Sequence, residues 1–320
     1  MADHNNGKDI QLDFCLATEE DFQGVVAISG DVYRGWDYLP SRYHSWLQDT
    51  NRRTFVLKRK EQVIALESVL LVDDGSTAVV EGLRVAPWER GRGIVGLIQN
   101  FVEDFLKTEF PAVKVIRLTR REDPSPGMLS QYRVVHSKAA LTLTLKSGEV
   151  QDLIHTLMST MEKEGECFEP PVTLEAKDVL RVYQNEVIIA KLLPARMLIQ
   201  NWLPVYPKRS NLDYLLTKAL TWMADRAEDP NFLSLGTPPI RVPLEENCHR
   251  FEVDLFGTDP RSAKIHLLSH LLQVSEIFEG GVLGIIVCME KPLFSPMDSF
   301  CKDFKRFALM KEQLLMEKDI

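Results

Sequence analysis

The chain has 320 residues, 45% of them hydrophobic, enough for two domains of ordinary size with packed cores. Its formal net charge of −8, from 46 acidic against 38 basic residues, gives no general positive field for nucleic acid or an anionic membrane, so neither is expected as a partner. Five cysteines, Cys15, Cys167, Cys248, Cys288 and Cys301, are widely spaced with no C-x-x-C pair, and no apolar run approaches a bilayer span. That pattern argues against a disulfide framework or a metal site and for a soluble protein in a reducing, cytoplasmic setting.

Residues 1–11 are polar and read as a mobile tail. Leu12 to Ala17 reads as a strand, and Thr18 followed by Glu19, Glu20 and Asp21 reads as the capped start of a helix carried by Phe22, Val25, Val26 and Ile28. Between Tyr33 and Leu47 stand three tyrosines and two tryptophans. Trp46 and Leu47 suit a core, whereas the polar members Tyr38, Arg42, Tyr43 and His44 suit the lining of a pocket.

Thr54–Lys58, Val63–Val72 and Thr77–Val85 read as a meander of strands, the last two joined by Asp73-Asp74-Gly75-Ser76, a hairpin signal. Glu67 and Glu81 interrupt otherwise apolar strands, where an unpaired carboxylate costs several kcal/mol, on the order of the penalties for buried charge. Each therefore pairs with an arginine such as Arg84 or serves the chemistry. A two-residue loop at Asp74-Gly75 places Glu67 opposite Gly82 and Glu81 on the other face.

The stretch from Val79 to Asn100, VVEGLRVAPWERGRGIVGLIQN, is a strand that passes through a glycine-bearing turn directly into an amphipathic helix. Arg90-Gly91-Arg92-Gly93 supplies two residues without Cβ, so backbone N–H groups can converge on an anion at the positive end of the helix. The spacing does not fit a P-loop. Gly91, Gly93 and Gly96 satisfy G-x-G-x-x-G by count, but the strand junction and the acidic ribose ligand about 20 residues on are absent, against a dinucleotide site. Lys114–Thr119 returns as a strand, making a right-handed βαβ unit, and Pro124–Tyr132 and Ala140–Leu145 read as a short helix and a final strand.

Arg90 to Val95 resembles motif A of the GNAT superfamily of N-acetyltransferases, and the order of elements agrees with the GNAT fold, a mixed central sheet flanked by helices. Val95 departs from the Gly or Ala preferred at its place. The resemblance implies acetyl-CoA as co-substrate, held by Leu83, Arg84 and Val85 of the strand with Arg90, Gly91, Arg92, Gly93, Ile94 and Val95. It implies Glu67 or Glu81 as the base and Tyr132 as the acid that protonates the departing thiolate, with packing against the cofactor as the other role for Tyr132. GNAT proteins carry a bulge in this strand, and a one-residue shift would bring Glu67 and Glu81 onto one face.

Asp37–Leu47, Ala65–Val69, Glu81–Gly91 and the closing Glu317–Ile320 are similar to the vertebrate histidine N-acetyltransferase family within that superfamily. This implies free L-histidine as acceptor. Tyr38, Arg42, Tyr43, His44, Ser68 and Arg84 are then the candidates for binding it, with Arg42 or Arg84 reading its carboxylate. The alternatives are a GNAT acting on a protein lysine or N-terminus, and a non-catalytic acetyl-CoA-binding scaffold.

Beyond Gly148 the pattern begins again. Val150–Glu164 reads as helix, Glu186–Leu193 as strand, Leu212–Ala224 as helix, then Phe251–Phe256, Pro260–Phe278, Val282–Met289, Pro296–Phe304 and Ala308–Met316 as strand, helix, strand, helix and strand. These imply a GNAT acetyl-CoA-binding catalytic domain at 12–148 and a second, degenerate GNAT-like α/β domain at 149–320 without a cradle of its own. His266 and His270, four apart on its helix, read as a solvated or interface pair rather than metal ligands.

Overall fold

The computed structural model describes residues 12–30 and 32–320; the expected tail, residues 1–11, lies outside the described residues. Strands β1 (Leu12–Leu16), β2 (Arg52–Arg59), β3 (Gln62–Val72) and β4 (Thr77–Val85) pair antiparallel in chain order, and β5 (Val115–Arg121) joins β4 in parallel. Helices α1 (Phe22–Ser29) and α2 (Leu39–Leu47) fall between β1 and β2, and α3 (Ile94–Glu109) connects β4 to β5. The short α4 (Pro126–Leu129) then leads into β6 (Arg133–Lys146).

The rest of the chain contributes α5 (Ser147–Lys163), β7 (Val172–Thr173), α6 (Ala176–Tyr183), α7 (Glu186–Leu192), β8 (Leu198–Gln200), β9 (Leu203–Val205) and α8 (Arg209–Leu216). After these come β10 (Thr221–Ala224), β11 (Leu233–Gly236), β12 (Ile240–Arg241), β13 (Cys248–Phe256), α9 (Pro260–Ile277), β14 (Val282–Met289), α10 (Phe294–Phe300) and β15 (Glu312–Asp319). The β13–α9–β14 unit is the expected second parallel crossover.

Three sequence expectations are corrected here. Glu186–Leu193 is helical, because the Asn185 side chain accepts the amides of Val187 and Ile188 and so caps a turn whose buried Ile188, Ile189 and Leu192 share one helical face. Leu212–Ala224 divides, since the helix ends at Leu216 and Thr221–Ala224 pairs with β11. The last strand begins at Glu312 rather than Ala308 and runs to Asp319.

The expected division at residue 148 separates the chain in sequence but not in the sheet, where β15 lies between β5 and β6, and β6 lies between β15 and β14. The closing strand of each half therefore sits beside the other half's parallel pair. Apolar clusters fill the space between this sheet and α1–α3, between it and α5 and α9, and beneath α6–α8.

A buried ion network fixes the joint. Arg117 on β5, 1% exposed, donates from Nη1 to Asp73 Oδ2 at 2.8 Å and from Nε to Glu317 Oε1 on β15 at 2.6 Å. Asp73 Oδ1 also accepts the Tyr206 amide at 3.0 Å and Asn211 Nδ2 at 2.7 Å, both from the second half. Asp73→Ala strips Arg117 of one carboxylate inside the core, so the denaturation midpoint should fall by an amount equivalent to about 3 kcal/mol or more. An unchanged urea midpoint would show that the joint does not depend on this pair.

Candidate active site

β4 and β5 pair at only three positions, Thr77 with Val115, Ala78 with Ile116 and Val79 with Arg117, and beyond Arg117 no further pair joins them. Between the pairs Leu66–Arg84 and Ser68–Glu81, the two residues Gly82 and Leu83 of β4 oppose the single Glu67 of β3, so the expected bulge is present. Gly82 has φ +69°, and a Cβ there would stand 2.8 Å from the Trp46 ring, so both the turn of the backbone and the packing require glycine. A cavity of about 330 Å³ occupies the notch, lined by Tyr33, Tyr38, Glu67, Glu81–Arg84, Gln99 and Leu118–Arg121. Trp202 of the second half walls it, with Thr119 Oγ1 donating to the Trp202 carbonyl at 2.6 Å and Tyr33 stacking on the indole at 8°.

In the turn between β4 and α3, Gly91 and Gly93 both have φ +76°, and a Cβ at either would meet nothing within 4 Å, so glycine serves backbone conformation there rather than close packing. Gly93 is the N-cap of α3, whose first-turn amides have no carbonyl within the helix to bond. Arg90 and Arg92 are exposed beside them, and Val95 stands in solvent at 43% exposure. The turn is therefore an open cationic cradle at a helix N-terminus, fit for a diphosphate. The second half has no equivalent. β13 and β14 stay paired at seven positions, Cys248–Asp254 against Val282–Cys288, and at the start of α9 the Asp259 carboxylate already accepts the Ser262 amide at 2.7 Å.

Glu67 pairs with Phe55, whose ring packs on Phe101 and Phe105 of α3, so Glu67 looks toward α3 and Gln99. Glu81 pairs with Ser68 and looks toward α2. The bulge lies beyond that pair, on the side of Val85, and so leaves the two carboxylates on opposite faces; it brings Glu81 and Arg84 to one face instead. Both carboxylates still line the notch, because parted strands open it to both sides of the sheet.

Their environments differ. Glu81 is bound by Arg52 Nη2 at 2.6 Å, and the guanidinium in turn lies 4.2 Å over Trp46 and donates to Ser68 Oγ at 3.1 Å. Glu67 is 2% exposed, its Oε2 has no hydrogen-bond partner, and burial pushes its carboxyl up to about 7, with Gln99 and Lys318 opposing. Tyr132, 7% exposed, is held protonated chiefly by burial and then by Glu67 and Glu103, with Lys318 Nζ of β15 at 5.2 Å from its ring centroid.

The residues singled out for substrate binding scatter. Arg84 lines the notch, but Asp37 engages it from both oxygens, at 2.6 Å and 3.2 Å, so its charge is already paired in the core. Tyr43 is fully buried and donates to the Thr18 carbonyl, while His44 is exposed and paired with Glu19; neither lines the notch or the cavity beside it. Ser68 is buried under Arg52. Tyr38, 7% exposed, and half-buried Arg42 remain as cavity-lining residues, and the Arg42 side chain makes no hydrogen bond or ion pair with any described residue.

Arg42 belongs to a second cavity, also about 330 Å³, that shares Tyr38, Glu81 and Trp202 with the notch and is walled by Asp49, Arg52, Gln200–Leu203, Tyr214 and Lys218. Sequence reasoning missed Asp49 and Arg52 of the first half and Trp202, Tyr214 and Lys218 of the second, because nothing local to β8–β9 or α8 shows that these elements face the first half and enclose a cavity with it. Of the expected alternatives for His266 and His270, a solvated or an interface pair, burial excludes the solvated one. Each is 1% exposed and bonded to Ser234 Oγ, at 2.7 Å and 2.8 Å, and burial drives both down to about 3. Helix α9 is buried on several sides, which periodicity alone did not reveal.

The GNAT acetyltransferase family signature matches residues 21–133, and the signature of the histidine N-acetyltransferase C-terminal region matches residues 167–290. A histidine N-acetyltransferase of Oreochromis niloticus is 37% identical over 97% of this chain and 94% of its own length. A human protein named "Probable N-acetyltransferase 16" is 38% identical over 97% of this chain and 86% of its own length. Among solved structures, a tandem GNAT protein from the clavulanic acid biosynthesis pathway is similar in fold at TM-score 0.58 and 12% identity, covering 97% of this chain and 98% of that one.

Glu67 ties the site to stability with a definite sign. With its carboxyl up at about 7 against an ordinary 4.5, the folded protein holds a proton that the unfolded chain releases as pH rises between those values. Stability is therefore lost across that window, by about 3 kcal/mol in all, and Glu67→Gln escapes the loss. The variant should match the unmodified protein below pH 4.5 and exceed it increasingly toward pH 8; parallel urea midpoints across the range would contradict this.

Proposed function

Because the chain belongs to the histidine N-acetyltransferase family of GNAT acetyltransferases, we propose that it moves acetyl from acetyl-CoA to the α-amine of free L-histidine, giving N-acetylhistidine and CoA by direct attack in a ternary complex. The observation that carries this reading is the pair of cavities that share Tyr38, Glu81 and Trp202, one set between the parted strands β4 and β5 and the other walled by both halves. The diphosphate rests on the amides and arginines from Arg90 to Val95, and the pantetheine lies along Leu83, Arg84 and Val85, whose backbone is free of β5. A protein acceptor would need an open groove, whereas Gln200–Leu203 and α8 cover the second cavity.

Histidine enters that second cavity with its carboxylate on Arg42, the cation there without a protein partner, and its amine toward Glu81 and the notch. An α-amine of pKa about 8 is mostly protonated at neutral pH and must lose a proton before it can attack. Glu67, unpaired and titrating near 7, accepts it directly or through water. The amine nitrogen then bonds to the acetyl carbon, the carbon–sulfur bond breaks, and the thiolate leaves with a proton from Tyr132, which is replaced by the second proton that the nitrogen sheds, through water, on becoming an amide. Backbone N–H groups freed by the Gly82-Leu83 bulge and the parting of the strands are the donors available to the developing oxyanion. Glu81, fixed by Arg52, supplies negative charge beside the amine.

Glu67→Gln should lower kcat on the order of 100-fold or more with little change in KM for acetyl-CoA, and the acid limb of the kcat/KM profile near pH 7 should disappear. Normal turnover by this variant would remove Glu67 from the proton path.

Arg42→Ala should raise KM for histidine about tenfold or more while KM for acetyl-CoA holds, as loss of a charge-assisted hydrogen bond of about 2 kcal/mol implies. Histidine methyl ester separates the readings of the acceptor. Acetylation of the ester as efficient as that of histidine would show that the carboxylate is not recognised and would favour a peptide acceptor.

A further inference from the structure

The cavity beside the notch contains a polar pair that the transfer chemistry does not use. Asp49 follows α2 in the first half, Tyr214 sits on α8 in the second, and the Tyr214 hydroxyl donates to Asp49 Oδ2 at 2.6 Å. Asp49 Oδ1 accepts the Asn51 amide at 3.1 Å, and Lys218 Nζ stands off at 3.8 Å from Oδ2. The Asp49 side chain is only 9% exposed, and it lines the cavity. An ionised carboxylate has about four acceptor sites, so two short hydrogen bonds leave it able to take another donor from within the cavity. Burial, with Asp49 alongside, keeps the Tyr214 hydroxyl protonated, so it remains a donor and holds the carboxylate in one orientation.

The charges around the pair narrow what that donor can be. Arg42, Arg52 and Lys218 face Glu81 and Asp49 in this cavity, an excess of one positive charge that complements an amino acid whose carboxylate is ionised and whose amine has lost its proton. Lys218 is pushed down by burial and by the guanidinium groups of Arg52 and Arg42, which marks the three cations as close neighbours. A side chain with a permanent positive charge would meet all three. An aliphatic or phenyl side chain would cover the Asp49 carboxylate without bonding it, leaving a desolvated acceptor. A compact neutral ring with an N–H satisfies both constraints.

We propose that Asp49, held in place by Tyr214, accepts the ring N–H of the acceptor's imidazole, so that the choice of side chain is made across the joint between the two halves. Asp49 touches the substrate, and Tyr214 is a positioning residue. This rests on histidine being the acceptor, and it explains why a half without a cofactor cradle is needed for selectivity.

The test compares histidine with the next-best free amino acid that the unmodified full-length protein acetylates. In Asp49→Asn, KM for histidine should rise about tenfold or more, kcat and KM for acetyl-CoA should stay within about threefold, and the kcat/KM preference for histidine should fall at least about fivefold. Tyr214→Phe should lower the same preference by a smaller factor, at least about twofold, with the loss again in KM. A preference that stays within those factors, or a loss confined to kcat, would overturn the proposal. Should Asp49→Asn fail to fold, as judged by its thermal unfolding, Tyr214→Phe decides by the same criterion. If the unmodified protein acetylates other amino acids but not histidine, the parent reading fails, and this one with it.

Discussion

Everything in the candidate site follows from two parallel strands that pair for three residues and then part. Parallel strands ordinarily stay in register along their length, as β13 and β14 do over seven pairs, so the early parting of β4 and β5 must be held by other contacts. Arg117 stands at the last pair and is clamped there by Asp73 on one side and Glu317 on the other. Beyond it, the Gly82-Leu83 bulge re-aims β4, and Trp202 of the second half stands in the cavity between the parted strands. The notch and the access of both carboxylates to one space depend on that opening.

The second half repeats the strand–helix–strand plan of the first but not its parted strands. Its strands remain zipped together, and its helix N-terminus is occupied by the chain's own Asp259, so neither the slot nor the anion site is available to a ligand. What it contributes is structural closure. β15 completes the sheet beside β5 and brings Glu317 to Arg117 and Lys318 to Glu103 and Tyr132, while β8–β9 and α8 wall the cavity next to the notch. Exchange of closing strands makes the two halves one sheet, which keeps a pocket assembled from both of them in a single geometry.

The buried charges divide into two kinds, and the division carries functional meaning. Arg117, Arg84 and Lys138 are each matched by carboxylates at hydrogen-bonding distance, in keeping with the cost of leaving a buried ion alone. Glu67 is the exception among the carboxylates lining the notch, unpaired at Oε2 and its carboxyl pushed by burial up to about 7. A protein gains no stability from such a group, which is why its position in the notch points to chemistry. Arg42 is its cationic counterpart, without a partner among the described residues yet facing a cavity rather than open solvent.

Local chemistry in the sequence determined the elements that carry the site. Gly91 and Gly93 at positive φ, the amphipathic run of α3, the meander of β2–β4, and the carboxylates set into apolar strands are all decided by residues within a few positions of one another, whereas the register of the strands is left open by them. Short-range rules failed where burial came from elsewhere. The apolar run of α7 serves a helix as well as a strand until Asn185 caps it, and the burial of His266 and His270 is illegible locally because no local pattern shows that α9 is covered on several sides. The tertiary structure alone decided which cations are free. Asp37 lies 47 residues from Arg84 and pairs its charge, and Arg52 lies 29 residues from Glu81 and fixes it. It alone brought Tyr214 to Asp49 across 165 residues and set β15 between β5 and β6, because contacts at such separations depend on chain topology, which neither periodicity nor spacing encodes.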